Sequence, residues 1–297
     1  MISFQTMYER CQTLSSDDDT TSLTLFKANL NEGARKLYSA MNIEYFYTST
    51  TDATVEDQSS YPLPYDCEKL HTIIVTNDDI DYVCQEFSGD ENAWLALTGS
   101  ATSSNSNTYP TFFFQKRNTY EIYPASSEDD LVMTLRYKRT VRDMSQDDYT
   151  TGTITTLANA GTAVTGNGTT WTAGFVGRYL KIDDDGYWYE ISARTSNTAI
   201  TLLREYGGTA IAAGTASYTI GEMSMLPEAY QDAPIDYALY MYYMIKEKAD
   251  LAAIYKGNFF EKLRDIKGYG SNLTTSGVIS TRGQRIINPN DYPRNLE

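Results

Sequence analysis

The sequence predicts an α+β protein in which an all-β unit, a small sandwich or barrel, interrupts a helical domain that also carries a β-hairpin or small sheet. Three observations carry this. Apolar residues recur at spacings of three and four near both ends of the chain. Between them, residues 150–222 hold no proline and eleven of the nineteen glycines, in short alternating runs. After residue 267 all periodicity stops. The expected organisation is therefore a discontinuous domain over 1–149 and 223–267, an inserted unit at 150–222, and an extended C-terminal arm at 268–297. A chain of 297 residues is long enough to bury two modest cores.

Taken in order, Phe4 to Cys11 reads as a short helix. Asp19 and Thr21 offer N-caps for a second one, with Leu23, Phe26, Leu30, Ala34, Leu37 and Met41 forming one buried stripe. The composition then turns to strands, with turn punctuation at Pro62 and Pro64, and the run KLHTIIVT alternates into a strand. The segment from Asp78 to Leu97 is expected to be helical at its start, and GSATSSNSN is a polar loop. FFFQKRNTYEIYPASSEDDLVMTLRYKRTV reads as a hairpin in which PASSEDD joins the strand ending near Ile122 to the returning LVMTLRYKRTV.

The inserted unit opens with GTAVTGNGTTWTAGFVGRYLKI and continues through DDDGYWYEI, where Asp185-Gly186 signals a two-residue hairpin turn; Gly207-Gly208 marks another. Helical patterning resumes at Pro234, with Asp232 or Ala233 near the cap. Ile235, Leu239, Tyr242, Ile245, Ala249, Ala252, Phe259, Leu263 and Ile266 mark one face. A continuous helix of that length would reach about 50 Å, so a kink or break is expected near Gly257.

Charge narrows the function. The chain has 24 basic and 39 acidic residues, a net −15, which is too acidic to grip nucleic acid through its phosphates. Residues 268–297 reverse the sign: Arg282, Arg285 and Arg294 outnumber Asp291 and Glu297, giving +1 against −16 for the rest. Such a segment cannot fold alone, and it reads as an arm that orders on a partner, with Arg282, Arg285, Tyr292 and Arg294 as the contact residues. The 25 tyrosines suit protein interfaces as well as strands. No run is long enough to span a membrane, and the N-terminus does not read as a secretory signal. Cys11, Cys67 and Cys84 are odd in number and widely spaced, which fits neither a disulfide framework nor a zinc site and suggests a reducing compartment.

Catalytic chemistry has no visible carrier. His71 is the sole histidine and sits in a strand-like run, so no nucleophile–base set can be built around it. There is no phosphate-cradling loop; GNGTTW lies between strands, where a tight turn accounts for it. Asp183, Asp184, Asp185 and Glu190 offer hard oxygen ligands, but the spacing does not fit a calcium-binding helix–loop–helix, and a polar hairpin turn explains them. Asp183, Asp185 and Glu190 are the only metal candidates; no metal, cofactor or enzymatic activity is expected. Trp171, Tyr187, Trp188 and Tyr189 belong to the same unit and are expected to pack its core or to stack on a sugar.

With the β unit set aside, the flanks resemble the head-to-tail adaptor (connector, neck) proteins of tailed bacteriophages. The likeness rests on Tyr120, Ile122, Tyr123 and Pro124 in a Y-x-[IL]-Y-P strand. It continues through Leu135, Tyr137 and Arg139 in the return strand, and through Leu226, Pro227 and Tyr230 before a long helix. TSLTLFKANLNEGARKLYSAM is similar to the start of such proteins, and the β unit is similar to modules of phage virion proteins. The resemblance implies a virion structural protein, made in the bacterial host cytoplasm. About twelve copies would form a ring under the portal protein, extend the DNA channel without specific DNA binding, and offer a platform to tail or nozzle proteins. The alternatives are a tail fibre, baseplate or decoration protein whose β unit binds a host or virion surface, and a virion hydrolase.

Overall fold

The computed structural model describes residues 1–41, 46–99, 109–183 and 185–277. Among the described residues there are five α-helices: α1 (Phe4–Ser15), α2 (Thr20–Ala40), α3 (Glu91–Gly99), α4 (Ala233–Ile245) and α5 (Ala249–Gly277). One set of strands comprises β1 (Tyr47–Ala53), β2 (Ser60–Pro62), β3 (Cys67–Asn77), β4 (Ile80–Glu86), β5 (Phe112–Gln115), β6 (Thr119–Tyr123) and β7 (Val132–Arg139). A second set comprises β8 (Thr153–Leu157), β9 (Ala163–Asn167), β10 (Tyr179–Ile182), β11 (Trp188–Ser196), β12 (Ala199–Leu202), β13 (Ile211–Ala216) and β14 (Tyr218–Gly221). The chain divides into two compact units, Met1–Ala40 with Thr140–Arg264, and Met41–Arg139 with Asp265–Glu297.

In the first unit the Ser3 side chain caps α1 by accepting the Thr6 N–H, and Asp19 accepts the Thr21 N–H at 3.0 Å at the start of α2. Phe26, Leu30, Ala34 and Leu37 are buried, as their spacing requires. They and α1 pack with α4, which is apolar nearly all round and buries Ile235, Ala238, Leu239 and Tyr242. α4 and α5 form an antiparallel hairpin: Tyr243 stacks on Tyr255 at 5.6 Å, Tyr237 meets Phe259 at 5.0 Å, and Lys262 reaches back to Asp232 and Asp236. The break in this helical stretch is therefore at Lys246–Lys248, ahead of the expected position. Glu247 takes a left-handed conformation (φ 56°), the Lys246 N–H donates to Tyr242, and the Lys248 N–H to Tyr243. Gly257 lies inside α5, with Ile245 and Ala249 exposed rather than on the buried face.

The same unit contains a seven-stranded sheet ordered β13-β8-β9-β12-β11-β10-β14. Its two edge strands are consecutive in sequence and separated by Ser217 alone, so the sheet must roll up to bring its edges together. Ile154, Val164, Trp171, Leu180, Ile191, Ile200 and Ile220 fill the inside, where the Trp171 indole donates to the Tyr218 hydroxyl at 2.9 Å. β10 and β11 are joined by residues 183–187 rather than by the expected two-residue turn at Asp185-Gly186: the Asp185 N–H donates to the Ile182 carbonyl at 2.9 Å, and Gly186 is not left-handed.

The second unit holds another curled sheet, ordered β1-β7-β3-β4-β5-β6-β2. A flat sheet of seven strands would set its edges about 29 Å apart, whereas the link from Ala53 to Ser60 spans at most about 25 Å. The sheet curls accordingly, and the β1–β2 link bonds to the β6–β7 link: Thr54 N–H to Leu131, Asp57 N–H to Ser126 and Asp130 N–H to Thr54. Leu70, Ile73, Val75, Phe113, Ile122, Met133 and Leu135 form its core. On the outer side Trp94 of α3 stacks on Phe114, and its indole donates to Glu121 at 2.6 Å.

Two sequence expectations change here. β6 and β7 are both strands but not a hairpin; three strands separate them, and β6 turns back on β5 across Lys116–Asn118. The region after Asp78 begins as strand β4, because Asp78 and Asp79 adopt left-handed angles (φ 47° and 64°) that close a tight β3–β4 turn; its helix, α3, comes at the far end. The polar loop expected at 99–107 lies, apart from Gly99, outside the described residues.

Candidate functional site

Residues 142–149 form a strap that fastens the rolled sheet β8–β14 to the helices of the same unit. Lys27, Asn31 and Arg35 recur every fourth residue on α2, so they share one face. Each holds one point of the strap: Lys27 pairs with Asp147 at 2.8 Å and Arg35 with Asp143 at 3.0 Å. Asn31 brackets Met144, donating to its carbonyl at 2.8 Å and accepting its N–H at 2.9 Å, as a neighbouring strand would. The Met144 side chain is buried among Phe4, Phe26 and Leu239 in the helical core. From α1, the Tyr8 hydroxyl donates to Asp147 at 2.9 Å, with the Lys27 ammonium 4.3 Å from the Tyr8 ring centre.

The two ends of the rolled sheet meet at this strap. Tyr149 and Ile220 exchange both backbone hydrogen bonds, at 3.0 and 2.9 Å, and the Phe4 N–H donates to the Glu222 carbonyl at 2.8 Å. The buried Glu222 carboxylate accepts the N–H groups of Ser145 and Gln146 at 2.6 and 2.7 Å and pairs with Arg142 at 3.2 Å. Arg178, which precedes β10, is also buried; its guanidinium donates to the carbonyls of Asp147 and Ile220 and lies over the Phe175 ring.

This packing perturbs its charges in opposite directions. The Lys27 ammonium, aided by the Tyr8 hydroxyl, holds the Asp147 carboxyl below the usual carboxylate range. Burial pushes neighbouring Asp148 up, although its Oδ2 accepts the Ser3 hydroxyl at 2.8 Å. Burial also lowers Arg178, which stays charged all the same. The arrangement is a mechanical joint: paired charges and main-chain bonds fix one element on another.

The sequence alone does not reveal this joint. A lysine, an asparagine and an arginine four residues apart were its available signal. The metal candidates are not brought together. Asp185 accepts the Tyr189 hydroxyl at 2.9 Å and the Tyr187 N–H, while Glu190 pairs with Tyr179 across β10 and β11. Among the described residues no three His, Cys, Asp or Glu side chains could hold a metal ion. Trp171 is in the core, Trp188 and Tyr189 are half-buried, and Tyr187 is 72% exposed. His71 stacks on Tyr47 at 4.9 Å. Burial raises the thiols of Cys11 and Cys84 to about 12 and that of Cys67 to about 11, so none is a thiolate at neutral pH. Arg282, Arg285, Tyr292 and Arg294 lie outside the described residues. Among the described residues no helix is long and apolar enough to cross a membrane.

Comparison with known families returns one description that fits this arrangement. The profile of the SU10 adaptor protein family matches residues 2–164, more than half of the chain, and takes in α1, α2, β1 to β7, the strap and β8. No curated protein sequence matches the chain. With that match over the helices and the strap they hold, the chain belongs to the SU10 adaptor protein family, the structural head-to-tail adaptors of tailed bacteriophages.

Proposed function

We propose that copies of this chain, about twelve, close into a ring beneath the portal protein, extend the DNA channel and present a platform to tail or nozzle proteins. The family match over residues 2–164 is the observation that carries this reading. The charge distribution agrees with a channel that DNA crosses without adhering: residues 41–139 alone contain sixteen acidic and six basic residues. In this reading the protein is not an enzyme, works in the virion neck and assembles in the host cytoplasm.

Residues 150–222 are an insertion into the adaptor domain that 1–149 and 223–267 form. The paired backbones of Tyr149 and Ile220 support it, since an inserted unit must enter and leave at one place. Residues 268–277, expected to open the extended arm, continue α5 instead, and residues 278–297 are an arm that docks on a partner through Arg282, Arg285, Tyr292 and Arg294.

Native mass spectrometry of the full chain, alone and mixed with a portal ring, tests the proposal. A ring of about a dozen copies, or assembly only on the portal, is expected. A stable trimer with no affinity for the portal would overturn it in favour of a fibre or receptor-binding protein.

A further inference from the structure

β1 is an edge strand with almost nothing covering it. It pairs with β7 over seven consecutive residues without a bulge, Tyr47 opposite Lys138 through Ala53 opposite Val132. Its partners Met133, Leu135 and Tyr137 are buried, yet Thr50 and Asp52 beside them are exposed, as are Ser49, Thr51 and Ala53 on the other face. β1 therefore stands beyond the limit of its own core. Among the described residues no strand pairs with its outer side.

The outward groups can be assigned. The Thr54 N–H donates to Leu131, on the β7 side, so alternation turns Thr48, Thr50 and Asp52 toward β7. Ser49, Thr51 and Ala53 then face outward, and the Ala53 N–H is taken by the Asp52 carboxylate at 2.9 Å. Native edge strands are normally protected from pairing by lysine, proline, a bulge or shortness. YTSTTDA has no lysine, no proline and no bulge, and its one charge, Asp52, is an anion that deters an acidic strand and attracts a basic one. An edge in that state offers the geometry on which β-strand addition works.

We propose that residues 278–297 of a second copy add to the outer edge of β1 as a further strand. Three features favour this occupant. The segment follows directly after α5 and is twenty residues long, ample for an edge of seven. Val278, Ile279, Thr281, Ile286 and Ile287 supply the β-branched side chains that strands favour. Its charge is also complementary. Asp52, Glu56, Asp57, Asp129 and Asp130 gather at the Ala53 end of β1, where Asp129 accepts the Glu56 N–H, and none of the five is in an ion pair among the described residues. Arg282 and Arg285 bring the opposite sign. The inference rests on the ring proposal only in requiring more than one copy, and it names what joins them.

The test is self-association of the full chain by sedimentation across a concentration series. Proline at Ser49 and Thr51 removes two outward donors and leaves the β7 ladder intact. Ser49→Pro/Thr51→Pro should raise the concentration of half-assembly at least tenfold while the melting temperature stays near wild type. Thr51→Lys, which keeps every backbone donor but sets a cation against the arginines, should act in the same direction. Arg282→Glu/Arg285→Glu should match the proline variant, and combining the two should add nothing. An excess of free 278–297 peptide should inhibit assembly of the wild type and not of the edge variant. Assembly of both edge variants at wild-type concentrations overturns the proposal, as does a chain that stays monomeric throughout. Edge variants that fail while the arginine variant assembles normally also overturn it, because the occupant is then another β1 strand. A closed ring indifferent to the edge sinks this inference and leaves the ring; edge-dependent dimers that never close sink the ring and leave the edge.

Discussion

Arg178 donates to the main-chain carbonyl of Asp147 at 2.6 Å, and this bond ties the rolled sheet β8–β14 to the strap that α2 holds. The same guanidinium donates to Ile220 at 2.9 Å, so one buried cation closes both the entrance and the exit of the sheet. Replacing it with leucine would take the charged donor from both carbonyls, leaving Ile220 only the Tyr149 N–H. Arg178→Leu should cost about 3 kcal/mol, read as a lower urea midpoint with an unchanged slope. Both bonds leave from one nitrogen, Nη2, so Arg178→Lys, which keeps a charged multiple donor on a shorter stem, should recover part of the loss.

Asp147 and Asp148 are neighbours with opposite linkage to folding. The folded pKa of Asp147 is depressed by Lys27 and Tyr8, so its stabilisation is present above the unfolded value near 4 and is lost as pH falls through the folded value. Burial raises the folded pKa of Asp148, so the folded state favours its protonated form, and ionising it as pH rises is a cost. Asp147→Asn should therefore destabilise at pH 7, with the deficit closing below about pH 4. Asp148→Asn should stabilise at pH 7 and show no gain once the wild-type carboxyl is protonated in both states. Urea midpoints across a pH series check both; parallel curves for the two variants would contradict the assignment.

How much of this could be read from the chain differs by element. The α2 stripe of Phe26, Leu30, Ala34 and Leu37 was plain, because one amphipathic helix satisfies its own backbone and needs only one face covered. The pairing of β10 with β11 was legible too, but not its turn, which takes residues 183–187 rather than Asp185-Gly186 alone. Strand pairing in the other sheet was not. Nothing in YEIYPASSEDDLVMTLRY says that Thr119–Tyr123 prefers the phenylalanines of β5 across a three-residue turn lacking glycine, while Val132–Arg139 inserts between β1 and β3. The Lys27–Asn31–Arg35 row was legible as spacing but not as a site, because its partners lie more than a hundred residues away.

Two glycines separate steric need from accident. At Gly221 an added Cβ would come within 2.8 Å of Ser3 Cβ and 3.1 Å of Asp148 Oδ1, at the contact between α1 and β14. Its backbone is not left-handed, so the cost of a side chain is crowding alone. Gly221→Val should destabilise by about 1–3 kcal/mol. At Gly257, inside α5, a Cβ meets nothing within 4 Å, and Gly257→Ala should stabilise by up to about 1 kcal/mol through helix propensity. Thermal melts of the pair should move in opposite directions.

The corner between α4 and α5 carries its own cost at Glu247, a residue with a Cβ held at φ 56°. The corner exists because α4 has run out of buried face: Tyr242 and Tyr243 are covered, whereas Met244 and Ile245 are exposed by 53% and 58%. Turning back there lets Tyr255 stack on Tyr243 and Phe259 reach Tyr237, which a straight helix running on to Gly257 would forfeit. The left-handed residue is what the turn needs, and glutamate is a poor choice for it. Glu247→Gly relieves that conformation at the expense of a more flexible unfolded chain, for a net gain of about 0.5–1 kcal/mol. Glu247→Ala, which keeps the Cβ, should give no such gain. If alanine and glycine raise the urea midpoint equally, the corner is not strained, and the break in the helix has another cause.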